Sequence, residues 1–202
     1  MFSRLLRKFR IQTYNIGIIP YRYQDIIGNP SGVKILWLKH RYKDRFFADP
    51  FLLWQDDKNY YILAEEFILW EQKGKITLLT VEKKSFTLKE KTTFIDEAYH
   101  LSYPFCEEGS KSVLVESSKT GKTYEYHLSD DQRTVLGKEL AADFGLVDQT
   151  VLIKDGAQWL FATDVCSPLS LLNMFYRHSP ACCFEPIETN PVKNDIKAAR
   201  PA

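Results

Sequence analysis

The sequence lacks the features that would assign it to several common classes of protein. Its 27 Lys and Arg residues are balanced by 26 Asp and Glu residues, which leaves a net charge of +1 at pH 7. That balance gives no electrostatic reason to expect a nucleic acid as a partner. The sequence also contains no P-loop, no G-x-G-x-x-G and no G-x-S-x-G motif. It therefore gives no support to a nucleotide-binding or serine-hydrolase function.

Cysteine and histidine are too few and too dispersed for a disulfide framework or a zinc site. The four cysteines form no C-x-x-C pair, and Cys182 and Cys183 are adjacent, a spacing that rarely forms a disulfide. The four histidines show no zinc-type spacing. We therefore predict reduced thiols in a cytoplasmic protein that needs neither a metal ion nor another cofactor.

The N-terminus lacks the long apolar run of a signal peptide and the ~20 apolar residues of a transmembrane helix. Residues 1–12 instead form a short arm in which basic and apolar side chains are interleaved. Such an arm is typical of an amphipathic helix that touches a membrane surface. The alternative, which we favour, is a helix that packs on the domain or on a partner. We therefore expect a cytoplasmic protein, which would be membrane-peripheral if the arm binds a membrane surface.

Strand-like runs dominate the chain after residue 30, and short polar or glycine-containing turns separate them. The connections are too short for parallel crossovers, so the sheets are predicted to be antiparallel and the fold class all-β. The predicted strands are residues 33–38, 50–54, 59–65, 75–82, 85–94, 111–117, 122–128, 149–154 and 157–163, and the predicted turns are residues 55–58, 72–75, 107–110, 119–122 and 154–157.

An internal repeat organises these strands. Residues 48–66, 102–118 and 147–164 each open with a small or β-branched residue and then a polar one, continue as an apolar strand and a turn, and end a second apolar strand in a polar group. A period near 50 residues with about four strands per unit is typical of a β-propeller blade, although a β-sandwich is the alternative. The first polar column is Asp49, Tyr103, Asp148 and Arg200, and the second is Glu65, Glu116 and Thr163.

The innermost strands of propeller blades begin at one face of the molecule. The two polar columns are therefore expected to converge on one funnel, although their members lie far apart in sequence. Glu66, which follows Glu65 in the second strand, should face the opposite side of the sheet. One of these two glutamates is accordingly expected to be exposed to solvent.

Several motifs in this order resemble a known family. They are "FFADPFLL" (46–53), "HLSYPF" (100–105), "LVDQTVLIKDGAQWLFAT" (146–163) and "NPVKNDIKAARPA" (190–202). They are similar to the five-bladed propeller domain at the N-terminus of plant glucosamine inositolphosphorylceramide transferases. That domain resembles in turn the five-bladed glycoside hydrolases that act on arabinans and xylans. The resemblance implies an incomplete five-bladed β-propeller in residues 13–202, truncated after about three blades and the start of a fourth.

The resemblance also implies a function. It suggests a carbohydrate-active domain associated with surface polysaccharide or glycolipid biosynthesis, whose partners are a glycan or glycolipid and a transferase domain or protein. Such a domain would bind a glycosyl unit and would hydrolyse or transfer it. The alternatives are a non-catalytic module that binds glycan or scaffolds a transferase, and an inactive truncated fragment.

Hydrolases of this kind use one carboxylate as general base, one as general acid and a third that orients the acid. The resemblance places the base at Asp49, and position in the repeat makes Glu116 the acid and Asp148 the third carboxylate. Tyr103 stands in blade two where the hydrolases tend to carry an acid, which favours binding over hydrolysis. The predicted substrate-binding residues are Glu65, His100, Tyr103 and Arg200.

Overall fold

The computed structural model describes residues 12–117 and 119–195, and its regular structure is mostly β-strand. The arm predicted for residues 1–12 lies outside this part except for its last residue, and so does Arg200. No helix in the described ranges is long and apolar enough to cross a bilayer. The elements are β1 (Gly17–Ile18), α1 (Tyr23–Gly28), a 3-10 helix (Pro30–Gly32), β2 (Leu36–Trp37), β3 (Arg45–Gln55), β4 (Asn59–Ile68), β5 (Lys73–Glu82), β6 (Thr87–Ile95), β7 (Ser102–Phe105), β8 (Ser112–Glu116), β9 (Thr123–Leu128), β10 (Val135–Ala142), β11 (Leu146–Lys154), β12 (Ala157–Asp164), β13 (Leu171–Arg177), β14 (Glu185–Pro186) and β15 (Lys193–Asn194).

The strands from β3 onward form three antiparallel sheets that follow chain order. Blade one is β3-β4-β5-β6, blade two is β7-β8-β9-β10, and blade three is β11-β12-β13-β14, with β15 also paired to β13. The first strand of each sheet is the innermost, since β3 contacts β7 and β7 contacts β11. Sheets that meet through their first strands around a common axis are the blades of a propeller. The structure therefore confirms the predicted all-β propeller and rejects the sandwich.

Each of the nine predicted strands overlaps an observed strand, but the patterns misplace one turn and the list of predicted strands omits six of those that the structure describes. The β4–β5 turn ends at Gln72, whereas Lys73–Lys75 already belong to β5, so the turn predicted at 72–75 is wrong. The repeat at residues 102–118 anticipates β7, but the sequence does not predict the long outer strands β10 and β13 or the two-residue strands β1, β14 and β15. In β10, Gly137 and charged residues interrupt the apolar alternation, because an outermost strand is largely exposed.

The chain before blade one forms a separate ribbon, which packs on the face of blade one that is opposite blade two. Its strands β1 and β2 pair with each other and join none of the three large sheets. Ile16 and Leu38, each 3% exposed, pack on a cluster that includes Phe47 and Leu79 of blade one. The predicted strand at 33–38 is therefore present as only a two-residue strand of this ribbon.

Equivalent positions of successive blades pack against the next blade. Leu63 of β4 belongs to the core between blades one and two, and Leu114 of β8 belongs to the core between blades two and three. The same position in blade three is Phe161, which is only half-buried, and Leu152 beside it is 51% exposed. The repeated unit thus buries one face in blades one and two and leaves that face open in blade three.

Both Glu65 and Glu66 are buried, so the expectation that one faces solvent is wrong. Glu66 is fully buried on the far side of β4, where Nη1 of Arg45 (2.5 Å) and Nζ of Lys91 (2.8 Å) contact its Oε1. The Thr77 hydroxyl donates a hydrogen bond of 2.6 Å to Oε2. Burial alone would raise the pKa of Glu66, but these hydrogen bonds outweigh burial and lower it. Blade one is covered on both faces, by blade two and by the ribbon, so neighbouring residues of β4 are both removed from water.

We predict that Glu66→Ala strongly destabilises the fold. The change leaves the Arg45 guanidinium and the Lys91 ammonium beside an empty, buried space, and breaking a buried pair costs about 3–5 kcal/mol of unfolding free energy. Urea denaturation measures this loss. The matched control is Glu90→Ala on exposed β6, for which we expect a change within about 0.5 kcal/mol. Equal losses in the two variants would contradict this role of Glu66.

Candidate functional site

The first polar column of the repeat is marked by an unusual backbone conformation. Asp49, Tyr103 and Asp148 have φ values of 47°, 47° and 53°, in the left-handed region that side chains other than glycine rarely adopt. The same position therefore bends in the same way in all three inner strands. Left-handed residues of this kind cost of order 1–3 kcal/mol each and cluster at functional sites.

A β-bulge accompanies each of these residues. In blade one, Ala48 pairs with Glu65 but Phe51 pairs with Leu63, so two residues of β3 oppose one residue of β4. Register shifts occur at the corresponding points of β7 and β11. A bulge re-aims a side chain at the end of a ladder. The bulges thus place the polar column and the second-strand column beside each other.

The second-strand column supplies a buried carboxyl group from blade one. Glu65 is 7% exposed and lies near the carboxylates of Asp49 and Glu116. Burial, followed by repulsion from these two groups, raises the pKa of Glu65 to about 8. At neutral pH the Glu65 carboxyl therefore holds its proton while neighbouring acids surround it.

Glu116 connects blade two to blade three. Its Oε2 accepts a hydrogen bond of 3.0 Å from the backbone N–H of Asp148, and its Oε1 accepts one of 3.3 Å from the Ser102 hydroxyl. Burial raises the pKa of Glu116 and outweighs the stabilising hydrogen bond from Asp148. Glu116 is thus held in one orientation by groups from both blades.

His100 lies against Glu65 in a defined tautomer. The backbone N–H of Gly74 donates a 2.9 Å hydrogen bond to Nδ1 of His100, so the ring proton is on Nε2, which lies 3.6 Å from Oε1 of Glu65. Burial, and then the charge of Lys119, lower the pKa of His100. With Glu65 protonated as well, this contact at neutral pH joins two neutral groups rather than forming an ion pair.

Tyr103 supplies an aromatic surface where the other two blades supply an aspartate. Its ring packs edge-on against Phe51 at a centroid distance of 5.1 Å. Its hydroxyl lies 3.3 Å from Oγ1 of Thr150 in blade three. Burial raises the pKa of Tyr103, and the charges of the nearby carboxylates add to this effect. Tyr103 is therefore a neutral hydrogen-bonding group inside the cluster.

The structure brings together most of the residues that the sequence singled out. We call the six residues that it brings together, which are named at the end of this paragraph, the carboxylate cluster. Arg200 lies outside the described residues. Sequence reasoning did not find Gly74, Ser102 or Thr150, whose contacts depend on the pairing of strands. Gln149 is also new: it is fully buried and neither atom of its side-chain amide has a hydrogen-bond partner among the described residues. The carboxylate cluster consists of Asp49, Glu65, His100, Tyr103, Glu116 and Asp148.

The side chains that could ligate a metal ion are not arranged as a metal site in the described residues. Within residues 12–117 and 119–195, no group of three or more His, Cys, Asp or Glu side chains is placed to hold a metal ion. All four cysteines are free, and burial raises the pKa of the Cys106 thiol to about 12. The carboxyl, phenol and imidazole groups of the cluster can transfer protons and form hydrogen bonds.

Residues 27–201 match the family described as glucosamine inositolphosphorylceramide transferase 1, N-terminal. This chain belongs to that family. Glucosamine inositolphosphorylceramide transferase 1 of Arabidopsis thaliana is 28% identical over 155 residues, which cover 74% of this chain and 20% of the plant protein. The Oryza sativa subsp. japonica protein of the same name is 26% identical over 163 residues, or 78% of this chain and 22% of that protein. The chain thus spans about a fifth of the length of these curated relatives.

Solved structures of family 43 glycoside hydrolases share the fold of this family member. A thermostable family 43 glycoside hydrolase superimposes with a TM-score of 0.55 at 14% identity, over 74% of this chain and 56% of the hydrolase. The BlXynB protein of Bacillus licheniformis gives a TM-score of 0.55 at 12% identity, over 79% of this chain and 35% of that protein. The chain therefore shares the fold of these hydrolases.

We predict that Gly74→Ala disrupts the cluster from its edge. An added Cβ would lie 2.6 Å from Oε1 of Glu65, 2.6 Å from the backbone oxygen of Leu101 and 2.7 Å from Cε1 of His100. Overpacking of this kind costs about 1–3 kcal/mol of unfolding free energy. The control is Gly137→Ala in β10, where an added Cβ meets nothing within 4 Å. Thermal melts that show the same loss for both variants would refute the prediction.

The raised pKa of Glu65 predicts that stability falls as pH rises. The carboxyl has a pKa of about 4.3 in the unfolded chain and of about 8 in the folded protein. Between these values the folded state binds more protons, so the free energy of unfolding decreases toward about pH 8. Glu65→Gln, which mimics the protonated carboxyl, should flatten this slope in urea denaturations across the window. The control variant Glu71→Gln, at an exposed site, should keep the slope of the wild type. Equal slopes in wild type and Glu65→Gln would contradict the raised pKa of Glu65.

Proposed function

We propose that this domain binds a glycosyl unit at the carboxylate cluster and cleaves or transfers it by general acid–base chemistry. The observation that carries the proposal is the buried, protonated carboxyl of Glu65 between two further acids. Cleavage of a glycosidic bond needs a proton donor for the leaving oxygen and a second carboxylate on the opposite face of the sugar. The protonated Glu65 carboxyl meets the first part of this requirement, and the neighbouring acids offer the second carboxylate.

In this proposal Glu65 is the general acid, in place of Glu116. The acid must keep its proton near neutral pH, and the pKa of about 8 at Glu65 satisfies that condition. Glu116 accepts hydrogen bonds from two sides, so it is suited to orient its neighbours. Asp49 keeps the role of general base that the resemblance implies, and Asp148 borders the cluster from blade three.

Aromatic and neutral polar groups in the cluster suit contact with a sugar. Tyr103 and Phe51 offer ring faces and edges to the apolar side of a pyranose, as aromatic rings do in many binding sites. The Nε2–H of His100, 3.6 Å from Oε1 of Glu65, can also donate to a sugar hydroxyl. We assign these three residues to substrate binding.

A non-catalytic glycan-binding module is the second candidate, and one observation favours it. Blade two carries Tyr103 at the column position where blades one and three carry aspartates. A tyrosine whose hydroxyl lies near Thr150 can bind and orient a glycosyl unit, but it supplies no carboxylate for catalysis. In this case the cluster would recognise a glycosyl unit that another domain or protein modifies.

The names of the curated relatives extend the proposal to a biological setting. Those plant proteins are named as transferases of glucosamine and inositolphosphorylceramide, a sugar and a lipid. We propose that this domain acts on, or recognises, the glycosyl part of a glycolipid or surface polysaccharide beside a transferase. A cytoplasmic, membrane-peripheral location is part of this proposal.

We predict that Glu65→Gln lowers the turnover of the best substrate in a panel of aryl glycosides by about 100-fold or more, because general acid catalysis contributes typically 10²–10⁴-fold. The wild-type rate should fall as pH rises through about 8, where Glu65 loses its proton. Glycan affinity, measured by calorimetry, should stay within about threefold, since glutamine retains the shape of the acid. Asp49→Asn should also abolish turnover.

The exposed Glu71→Gln is the matched control and should keep wild-type turnover. Turnover that survives both Glu65→Gln and Asp49→Asn would refute the catalytic roles. Saturable glycan binding without turnover, weakened by Tyr103→Ala, would establish the binding module instead. A chain that neither binds nor turns over any glycoside of the panel would overturn both candidates.

A further inference from the structure

The segment that follows β2 presents two different sides. Exposure alternates along residues 37–43: Trp37 is 55% exposed and Leu38 is 3% exposed, and further along Lys39, Arg41 and Lys43 are exposed. Between them His40 and Tyr42 turn inward and pack on the ring of Phe47 in blade one. An extended chain sends alternate side chains to opposite sides. One side of this segment therefore covers blade one, and the other faces outward.

The apolar residues of the outward side, Ile35 and Trp37, pack across the other strand of the ribbon. Gly17 of β1 pairs with Trp37 of β2. A Cβ on Gly17 would lie 2.7 Å from Cγ2 of Ile35 and 3.2 Å from Cζ3 of Trp37. The absence of a side chain at Gly17 thus lets Ile35 and Trp37 lie across the β1 backbone. Both remain substantially exposed, Ile35 at 41%.

Other large apolar side chains of the N-terminal segment are also exposed. Ile19, one residue beyond β1, is 38% exposed, Tyr21 is 45% exposed, and Ile27 of α1 is 63% exposed. Such a density of exposed apolar groups is unusual for a free surface and marks an interaction site. We use the name ribbon face for the outward set Ile19, Ile35, Trp37, Lys39, Arg41 and Lys43.

The charged residues of this segment are mostly basic. Residues 12–43 contain five Lys and Arg residues but a single acid, Asp25. Lys39 and Arg41 form no ion pair with any other residue that the structure describes. They line a groove of about 460 Å³ whose other wall carries Lys89, Glu90 and Lys91 of β6. Lys89 and Lys91 are already paired with Glu82 and Glu66, so the uncompensated positive charge of the groove is that of Lys39 and Arg41. The excess of cationic groups next to the apolar end therefore calls for a negatively charged partner.

We propose that the ribbon face docks this domain on an anionic lipid bilayer. Trp37 and Ile35 would lie at the level of the headgroups, where tryptophan is enriched because its ring is apolar and its N–H is polar. Lys39, Arg41 and Lys43 would lie against the lipid phosphates. Exposed apolar groups flanked by lysine and arginine are the pattern of interfacial membrane binding. An acidic protein partner is the competing occupant, and the experiment separates the two.

The test is co-sedimentation of the full chain with phosphatidylcholine vesicles, with and without phosphatidylserine. We expect binding only to the anionic vesicles and a loss of binding at high salt. Lys39→Gln with Arg41→Gln should weaken partitioning about 25-fold, since each basic residue near such a surface contributes roughly fivefold. Trp37→Ser should weaken it about tenfold through lost apolar contact.

Matched controls change the same residue types elsewhere on the molecule. Trp70→Ser removes a tryptophan that is 75% exposed on blade one, and Lys111→Gln with Lys122→Gln removes two exposed charges from blade two. Both controls should bind vesicles like the wild type, and thermal melts check that every variant folds. No sedimentation with either vesicle, or equal loss in the ribbon-face and control variants, would overturn the proposal. Binding to neutral and anionic vesicles alike would overturn it as well.

Discussion

A left-handed residue inside a bulge, repeated in three inner strands, is the constraint on which the candidate site depends. Asp49, Tyr103 and Asp148 share this backbone conformation although their side chains differ. The conformation is costly outside glycine, so the packing of the blades must hold it in place. Its effect is to place the strand-start side chains next to the ends of the second strands. Without it, β3, β7 and β11 would continue as regular ladders whose side chains simply alternate between the two faces.

Two adjacent glutamates show how strongly the propeller controls ionisation. Glu65 and Glu66 are neighbours in β4 and are both buried, yet their pKa values move in opposite directions. Glu66 faces Arg45 and Lys91, so the charged form is stabilised. Burial, and then the charges of Asp49 and Glu116, stabilise the protonated form of Glu65. The alternation of a strand therefore separates a structural anion from a protonated carboxyl group within two residues.

Sequence patterns predicted the architecture well because that information is local. Strand runs, polar turns and a period near 50 residues lie within short segments, and they are sufficient to identify the column of Asp49, Tyr103 and Asp148. The same patterns did not predict β10, whose exposed outer position weakens its apolar alternation. They also could not identify Gly74, because its importance comes from the approach of Glu65 and His100, which only strand pairing and blade packing produce.

The sequence alone therefore determined which carboxyl groups would meet: Asp49, Glu65, Glu116 and Asp148 occupy equivalent positions of a repeat, and a repeat folds into equivalent places. Only the tertiary structure decided what each group would do. The Glu65 carboxyl keeps its proton because blade packing removes it from water and sets acids from two blades beside it. Burial and the distance between charges set its pKa, and both are properties of residues brought together from distant parts of the chain.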